Sequence, residues 1–121
     1  MRNMSFMLTT EQIRNRSKTV TRRLGWHHLK PGQKVAACKK CMGLKKGETI
    51  ERLAELMIIS AKREPLSCMM IYGPAECAAE GFPEMSPAEF IAFFCASHKG
   101  CSSDSIVTRI EFEYCEPESL L

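Results

Sequence analysis

The sequence predicts an α+β domain in which a mostly antiparallel sheet curls into a small barrel. Three observations support this fold class. Apolar and β-branched segments recur between turn sequences, two helical patterns lie late in the chain, and the chain ends in an alternating segment typical of a strand. A length of 121 residues, 45% hydrophobic and 26% charged, suits one soluble domain. We therefore expect a single domain over residues 1–121.

The first third of the chain predicts one short helix and two strands. Residues 9–12 place a Thr three positions ahead of a Gln, a capping-box pattern that opens a helix through about Arg16. β-branched residues then favour an extended segment over residues 18–23. A Pro-Gly turn at 31–32 precedes an apolar strand at 35–38.

The middle of the chain predicts one long strand. Residues 45–48 have the composition of a turn, and the apolar-rich segment 52–63 follows them. The apolar spacing of this segment is also compatible with a helix. The flanking turns and the pair Ile58 and Ile59 favour the strand.

The last third predicts two helices and a closing strand. A short helix over 74–80 ends at the glycine that follows it. Residues 86–89 combine an N-cap Ser, Pro at the first helical position and Glu two positions later, which predicts a helix to about Ser97. Residues 106–114 alternate apolar and polar positions, with Thr108 interrupting the apolar row, which predicts a half-buried strand.

Charge is distributed unevenly along the chain. Residues 1–46 hold twelve Lys or Arg and one acid, Glu11, whereas residues 47–121 hold five bases and thirteen acids. This asymmetry indicates either an N-terminal segment that faces a polyanion or two halves that neutralise each other in the fold. The pattern alone leaves both interpretations open.

The composition predicts a cytoplasmic protein without membrane contact. The longest apolar runs fall well short of the roughly 20 residues that span a bilayer, and residues 1–7 lack the apolar core of a secretion signal. The count of seven cysteines is odd. We therefore expect reduced, mostly buried thiols that fill gaps in the core.

One run of residues resembles a known motif. Residues 15–23 resemble the signature of ASCH domains, in which a short helix leads into a Lys-Thr-x-Thr-x-Arg segment that lines a pocket. Three further segments match in the same order: 29–32 before a strand, 79–81 ahead of a Ser-Pro-capped helix, and 110–112. The resemblance covers most of the chain and is strongest to the small ASCH proteins of bacteriophages and prophages. It implies a PUA-like barrel with flanking short helices.

The resemblance implies a choice of activities. Some ASCH proteins hydrolyse N4-acetylcytidine, some cleave RNA, and many have no assigned chemistry. For the more distant amidohydrolases, the resemblance implies a catalytic set of Lys18, Thr21 and Glu80. A Lys desolvated in a pocket loses its proton more easily and activates a hydroxyl, and a carboxylate passes a proton to the leaving amine. Lys18 and Thr21 would point to opposite faces of a regular strand, so a turn or bulge between them is required.

The expected ligand is RNA or a modified nucleoside or nucleotide. Hydroxyl, basic and aromatic side chains are expected to contact it, namely Thr19, Arg22, Arg23, Trp26, Lys39 and Lys40. Trp26 alternatively anchors a loop onto the core. Two other functions stay open: a non-catalytic RNA-binding module whose lysines follow the phosphates, and a phage-type protein that binds a host factor or a defence nucleotide.

A zinc site can be sketched but is weakly supported. Cys38 and Cys41 have CxxC spacing, and Cys95, His98 and Cys101 lie downstream. Cys38 falls in an apolar strand pattern and Cys95 on an apolar helical face, where thiols commonly pack as small hydrophobes. We therefore expect no metal and no cofactor.

Overall fold

A five-stranded sheet organises the computed structural model, which describes residues 1–116. The strands are Arg2–Ser5 (β1), Val20–Arg23 (β2), Lys34–Cys38 (β3), Arg52–Pro65 (β4) and Ile106–Tyr114 (β5). Their order across the sheet is β1-β3-β4-β5-β2, so β1 and β2 are the two edges. β1 runs parallel to β3, and the other neighbouring pairs of the described chain are antiparallel. The predicted mostly antiparallel sheet is confirmed, and β1 is a strand that the sequence pattern did not predict.

Short helices connect the strands. They are Thr10–Arg14 (α1), Met69–Tyr72 (α2), Pro74–Ala79 (α3) and Pro87–Ala96 (α4), and single 3₁₀ turns at Met7–Thr9 and Leu66–Cys68 precede α1 and α2. Within residues 1–116, no helix is both long enough and apolar enough to cross a membrane.

The start of α1 corrects the capping-box prediction. Thr9 occupies the N-cap position, but its side chain makes no capping hydrogen bond. A 3₁₀ turn runs directly into the helix instead, and Thr10 donates its hydroxyl to the carbonyl of Phe6 at 3.0 Å. The helix ends at Arg14 rather than Arg16, because Arg16 takes the left-handed conformation with φ of 63°.

The start of α4 confirms the second capping box. The backbone N–H of Glu89 donates to the side-chain oxygen of Ser86 at 3.2 Å, and the backbone N–H of Ser86 donates to the Glu89 carboxylate at 2.9 Å. Both reciprocal bonds of the motif are therefore made. α4 carries three of the six phenylalanines of the chain, Phe90, Phe93 and Phe94. The cap sets the start of the helix and thereby the position of these rings.

Hydrophobic clusters cover both faces of the sheet. β5 contributes Ile110 and Phe112 to one cluster and Val107 to the other, as its alternating side chains require. Over residues 109–113 the prediction of a half-buried strand is confirmed, because Ile110 and Phe112 are buried while the positions between and after them are partly or fully exposed. At the start of the strand the pattern differs, since Ile106 is exposed and Val107 is buried against the second cluster. Thr108 lies on the first face, where it is buried and donates its hydroxyl to the carbonyl of Gly25 at 2.6 Å.

The cysteines are less buried than the sequence predicts. All seven are unpaired thiols, and Cys38 and Cys77 alone are buried. The other five lie partly exposed in loops, at helix surfaces and beyond strand ends: Cys41, Cys68, Cys95, Cys101 and Cys115. The prediction of mostly buried thiols is wrong because apolar neighbours in sequence do not guarantee a core position.

Candidate functional site

A cavity of about 250 Å³ is lined by residues from both edge strands of the sheet. Ser5 belongs to β1, and Thr21, Arg22 and Arg23 belong to β2. β2 is an edge strand, and the cavity lies beside its unpaired edge. Neighbouring residues of β2, whose side chains point to opposite faces of the sheet, can therefore both reach the cavity. The volume lies just below the roughly 300–1,000 Å³ of pockets for drug-sized ligands, which suits a ligand the size of one nucleobase.

Lys18, Thr21 and Glu80 all line this cavity. Their exposed fractions are 3%, 3% and 2% respectively. Lys18 precedes β2, which begins at Val20, so the alternation of strand side chains does not separate it from Thr21. The backbone N–H of Thr19 donates to the carbonyl of Ala79 at 2.8 Å, and this bond ties the segment to the end of α3, where Glu80 follows.

Among residues 1–116, Glu80 is the one hydrogen-bond partner of the Lys18 side chain. Its Nζ donates to the Glu80 side-chain Oε1 at 2.9 Å and to the Glu80 backbone carbonyl at 2.6 Å. Burial lowers the pKa of Lys18 below its usual value, and the charge of Glu80 offsets this only in part. Lys18 is therefore a buried amine that gives up its proton more readily than a surface lysine.

A network of buried charges lies behind Glu80. Arg22 donates from Nη1 to Glu80 Oε2 at 2.9 Å and from Nη2 to Glu76 Oε2 at 2.6 Å. Arg109 donates to both oxygens of Glu76, at 2.6 and 3.1 Å. Glu64 lies 3.5 Å from Arg22. Glu76 and Glu80 are four residues apart, which places both carboxylates on the same side of α3 and its C-terminal cap.

Arg23 is the cavity cation without a carboxylate. Its Nε donates to the hydroxyl oxygen of Thr21 at 3.1 Å, and its guanidinium lies 4.6 Å from the centre of the Phe6 ring. Within residues 1–116 it forms no ion pair. Burial lowers the pKa of Arg23 to about 10, so it remains charged at neutral pH.

Aromatic side chains of α4 form another part of the cavity lining, here called the aromatic wall. Phe90, Phe93, Phe94 and Ser97 line the cavity from α4 and its C-cap, and this spacing puts them on one helix face. Phe94 stacks on His98 with 4.1 Å between ring centres. This wall was not predicted from the sequence, although the spacing of Phe90, Phe93 and Phe94 after a strong cap was the pattern that could have indicated it.

Four of the expected ligand contacts lie outside the cavity. Thr19 is exposed, and it takes part in the site through its backbone. Trp26 packs against the first hydrophobic cluster, with the guanidinium of Arg2 4.2 Å from its ring centre. Lys39 and Lys40 line a separate depression that also contains Glu48 and Glu51. The anchoring interpretation of Trp26 therefore agrees with its position.

The cysteines and histidines do not assemble into a metal site in the part of the chain that the structure describes. No group of three or more His, Cys, Asp or Glu is placed to hold an ion there. Cys95 and Cys101 lie close together, with 3.6 Å between their sulfur atoms. The sketched ligand set of Cys38, Cys41, Cys95, His98 and Cys101 is therefore not brought together.

The curled, mostly antiparallel sheet with flanking short helices defines a PUA-like α+β fold. A solved structure, the ASCH domain from Lactobacillus crispatus JV V101, has the same fold. Its TM-score is 0.60 at 12% identity, and the alignment covers 93% of this chain and 78% of that one. No protein-family model and no curated protein matches the sequence. The predicted fold class is confirmed, and at this identity the likeness concerns the fold alone.

Proposed function

We propose that the cavity binds a nucleobase, in RNA or in a modified nucleoside, and that Lys18, Thr21 and Glu80 remove an acyl group from its exocyclic amine. The observation that carries this proposal is the convergence of these three side chains on one cavity that aromatic side chains also line. The ASCH-type fold and the resemblance of residues 18–23 to the ASCH motif support it. The link to bacteriophage ASCH proteins and the cytoplasmic location stay predictions.

The two walls suit the two parts of a base. Aromatic rings stack on the face of a nucleobase, whichever base it is. The polar wall offers charged donors and a carboxylate, which can bond to the base edge. Such a division into an apolar side and a few placed polar groups is typical of small-ligand sites.

The chemistry needs one base, one nucleophile and one proton carrier. Neutral Lys18 takes the proton of the Thr21 hydroxyl, and the Thr21 oxygen attacks the acyl carbon. The bond from carbon to nitrogen breaks, and the proton returns from Lys18 by way of Glu80 to the leaving amine. Water then attacks the ester on Thr21, releases the acid and restores the hydroxyl. The charged hydrogen bond from Arg23 stabilises the oxygen of Thr21 while it carries negative charge.

The test is turnover of N4-acetylcytidine and other acylated nucleosides by the wild type and three variants. Lys18→Met and Thr21→Val should each lower turnover about a thousandfold or more, because members of one catalytic unit depend on each other. Thr19→Val, an exposed neighbour, should keep the wild-type rate. The wild-type rate should rise with pH as Lys18 loses its proton, in a range below the usual lysine pKa. Full activity in Lys18→Met and Thr21→Val would exclude this site.

A second candidate function is a non-catalytic RNA-binding module. The observation that favours it is the cluster of exposed lysines in the segment between β3 and β4, namely Lys39, Lys45 and Lys46, which form no ion pair within residues 1–116. Such a surface binds phosphates with an affinity that falls steeply with salt. RNA binding with this salt dependence, abolished when the three lysines are replaced and accompanied by no nucleoside turnover, would favour the module.

A further inference from the structure

The charges around the cavity are paired with one exception. Lys18 is paired with Glu80, and Arg22 is paired with Glu80, Glu76 and Glu64. Arg109, behind the cavity, is paired with Glu76. Arg23 has no carboxylate partner in the described chain. Glu80 attracts Arg23 at longer range, but no carboxylate of residues 1–116 lies within ion-pair distance of Arg23, so an anion that bonds directly to this partly buried guanidinium is favoured.

Arg23 also has unused hydrogen-bond donors. Its Nε is occupied by the Thr21 oxygen, whereas its two terminal nitrogens donate to no atom of residues 1–116. The ring of Phe6 lies against the guanidinium, which leaves the edge of the planar group for a ligand. A guanidinium edge fits the oxygens of a phosphate in the bidentate arrangement that an ammonium cannot make.

The other cations of the cavity cannot take this role. Nη1 and Nη2 of Arg22 are already bound to Glu80 and Glu76, and the side chain is fully buried. Nζ of Lys18 already has two acceptors, both on Glu80. An anionic group that enters this cavity therefore finds free charged donors at Arg23.

We propose that Arg23 binds the phosphate next to the base, so that the cavity takes a nucleotide in preference to a free nucleoside. This inference rests on the proposed function, since it adds a phosphate contact to the same site. A phosphodiester carries one negative charge and a phosphomonoester between one and two at neutral pH, and the oxygens of both fit the free edge of the Arg23 guanidinium. Both a free nucleoside monophosphate and an RNA chain supply this chemistry.

The test is calorimetric binding of cytidine, cytidine 5′-monophosphate and the dinucleotide CpC at low salt. The wild type should bind the better phosphate ligand about tenfold or more tightly than cytidine, the range of a charged hydrogen bond. Arg23→Met should bring this ratio to about one, and Arg23→Lys should restore part of it, since charge returns without the planar edge. A preference for CpC indicates RNA, and a preference for the monophosphate indicates the free nucleotide.

Arg63→Met is the matched control. Arg63 is exposed on β4 and lies at the same register as Arg23, with Thr108 of β5 between them, about 10 Å away at the usual strand spacing. Arg63→Met should keep the wild-type ratio of phosphate-ligand affinity to cytidine affinity, because it removes one positive charge from the surface without touching the cavity. Equal binding of cytidine and both phosphate ligands, or an equal loss in Arg63→Met, would overturn the inference and leave base binding intact.

A probe without a nucleobase separates the two proposals further. If no cytosine ligand binds, phenyl phosphate should still bind the wild type and fail to bind Arg23→Met. That result would support the anion site and overturn base recognition. If the wild type binds neither phenyl phosphate nor any of the cytosine ligands, both the anion site at Arg23 and base recognition are overturned.

Discussion

Glu80 is a buried carboxylate that receives hydrogen bonds from two cations. Lys18 and Arg22 each bond to one of its carboxylate oxygens, at 2.9 Å in both cases. When Lys18 gives up its proton, Arg22 still holds a positive charge against the carboxylate. The Glu80 carboxylate therefore keeps Arg22 as a charged partner throughout the proposed proton transfer, and a buried carboxylate needs such a partner.

Glu76 makes stability depend on pH. Burial by itself would raise the pKa of Glu76, but hydrogen bonds from Arg109 and Arg22 and the charges of both outweigh it, and the pKa is lowered from 4.5. A carboxyl whose pKa is lower in the folded state stabilises the fold above its unfolded pKa. This contribution is lost as the pH falls through the folded pKa.

Glu76→Gln should lower the free energy of unfolding by about 3 kcal/mol at neutral pH, because it leaves two arginines without their shared charge. The difference from the wild type should shrink as the pH falls below about 4.5. Urea denaturation at a series of pH values measures it. Glu84→Gln, at an exposed position without an ion pair in the described chain, should show neither effect. A difference that stays constant down to pH 2 would contradict the ionised network.

Single residues of the site were predictable only through the motif. The resemblance placed Lys18, Thr21 and Glu80 together, and their common cavity agrees with that expectation. Arg22 was expected to contact ligand, yet most of its donors serve Glu76 and Glu80. Neighbouring arginines look alike in sequence. Arg22 and Arg23 differ because Arg22 lies on the face of β2 that packs against Glu76 and Glu80, whereas Arg23 does not. That difference depends on tertiary packing.

The cap of α4 controls an element that carries one wall of the cavity. Ser86→Ala removes the side-chain acceptor of the Glu89 backbone N–H and should lower the free energy of unfolding by about 1 kcal/mol. Ser103→Ala, an exposed loop position, is the control and should change stability little. Chemical denaturation of the three proteins measures both. No loss in Ser86→Ala would mean that the cap does not contribute to the folded state.

Elements with a local sequence pattern were predictable, and elements that depend on distant partners were not. β5 runs over the predicted residues 106–114, and α4 begins at the predicted cap. β1 was missed because Arg2–Ser5 has no β-branched residue, and its pairing with β3 joins residues more than 30 positions apart. α2 was missed because four residues are too few to show a helical period.

At the scale of the molecule, the basic residues of the N-terminal segment 1–46 fall into two groups, those that form ion pairs with the rest of the chain and those that form none among residues 1–116. Five bases of this segment pair with acids from residues 47–121, as the neutralising interpretation requires: Arg14 with Glu51, Arg16 with Glu116, Lys18 with Glu80, Arg22 with Glu76, and Lys34 with Glu55. The lysines between β3 and β4 form no such pair in the described chain. The neutralising interpretation therefore holds for these five bases, and a polyanion-facing role of the lysines between β3 and β4 stays a prediction. Sequence could not separate the two groups, because pairing is decided by strand order.

The most direct test of the account is an NMR titration of the ¹⁵N-labelled protein with cytidine, followed through its backbone amide shifts. Nucleobase binding in the cavity predicts saturable shifts concentrated in the segments 18–23 and 93–98, which contribute the residues of its polar and aromatic walls. The segment 39–51 should stay unperturbed, because the cavity contains none of its residues. Saturable shifts confined to 39–51, or no shifts at millimolar cytidine, would contradict the claim that this cavity is a nucleobase site.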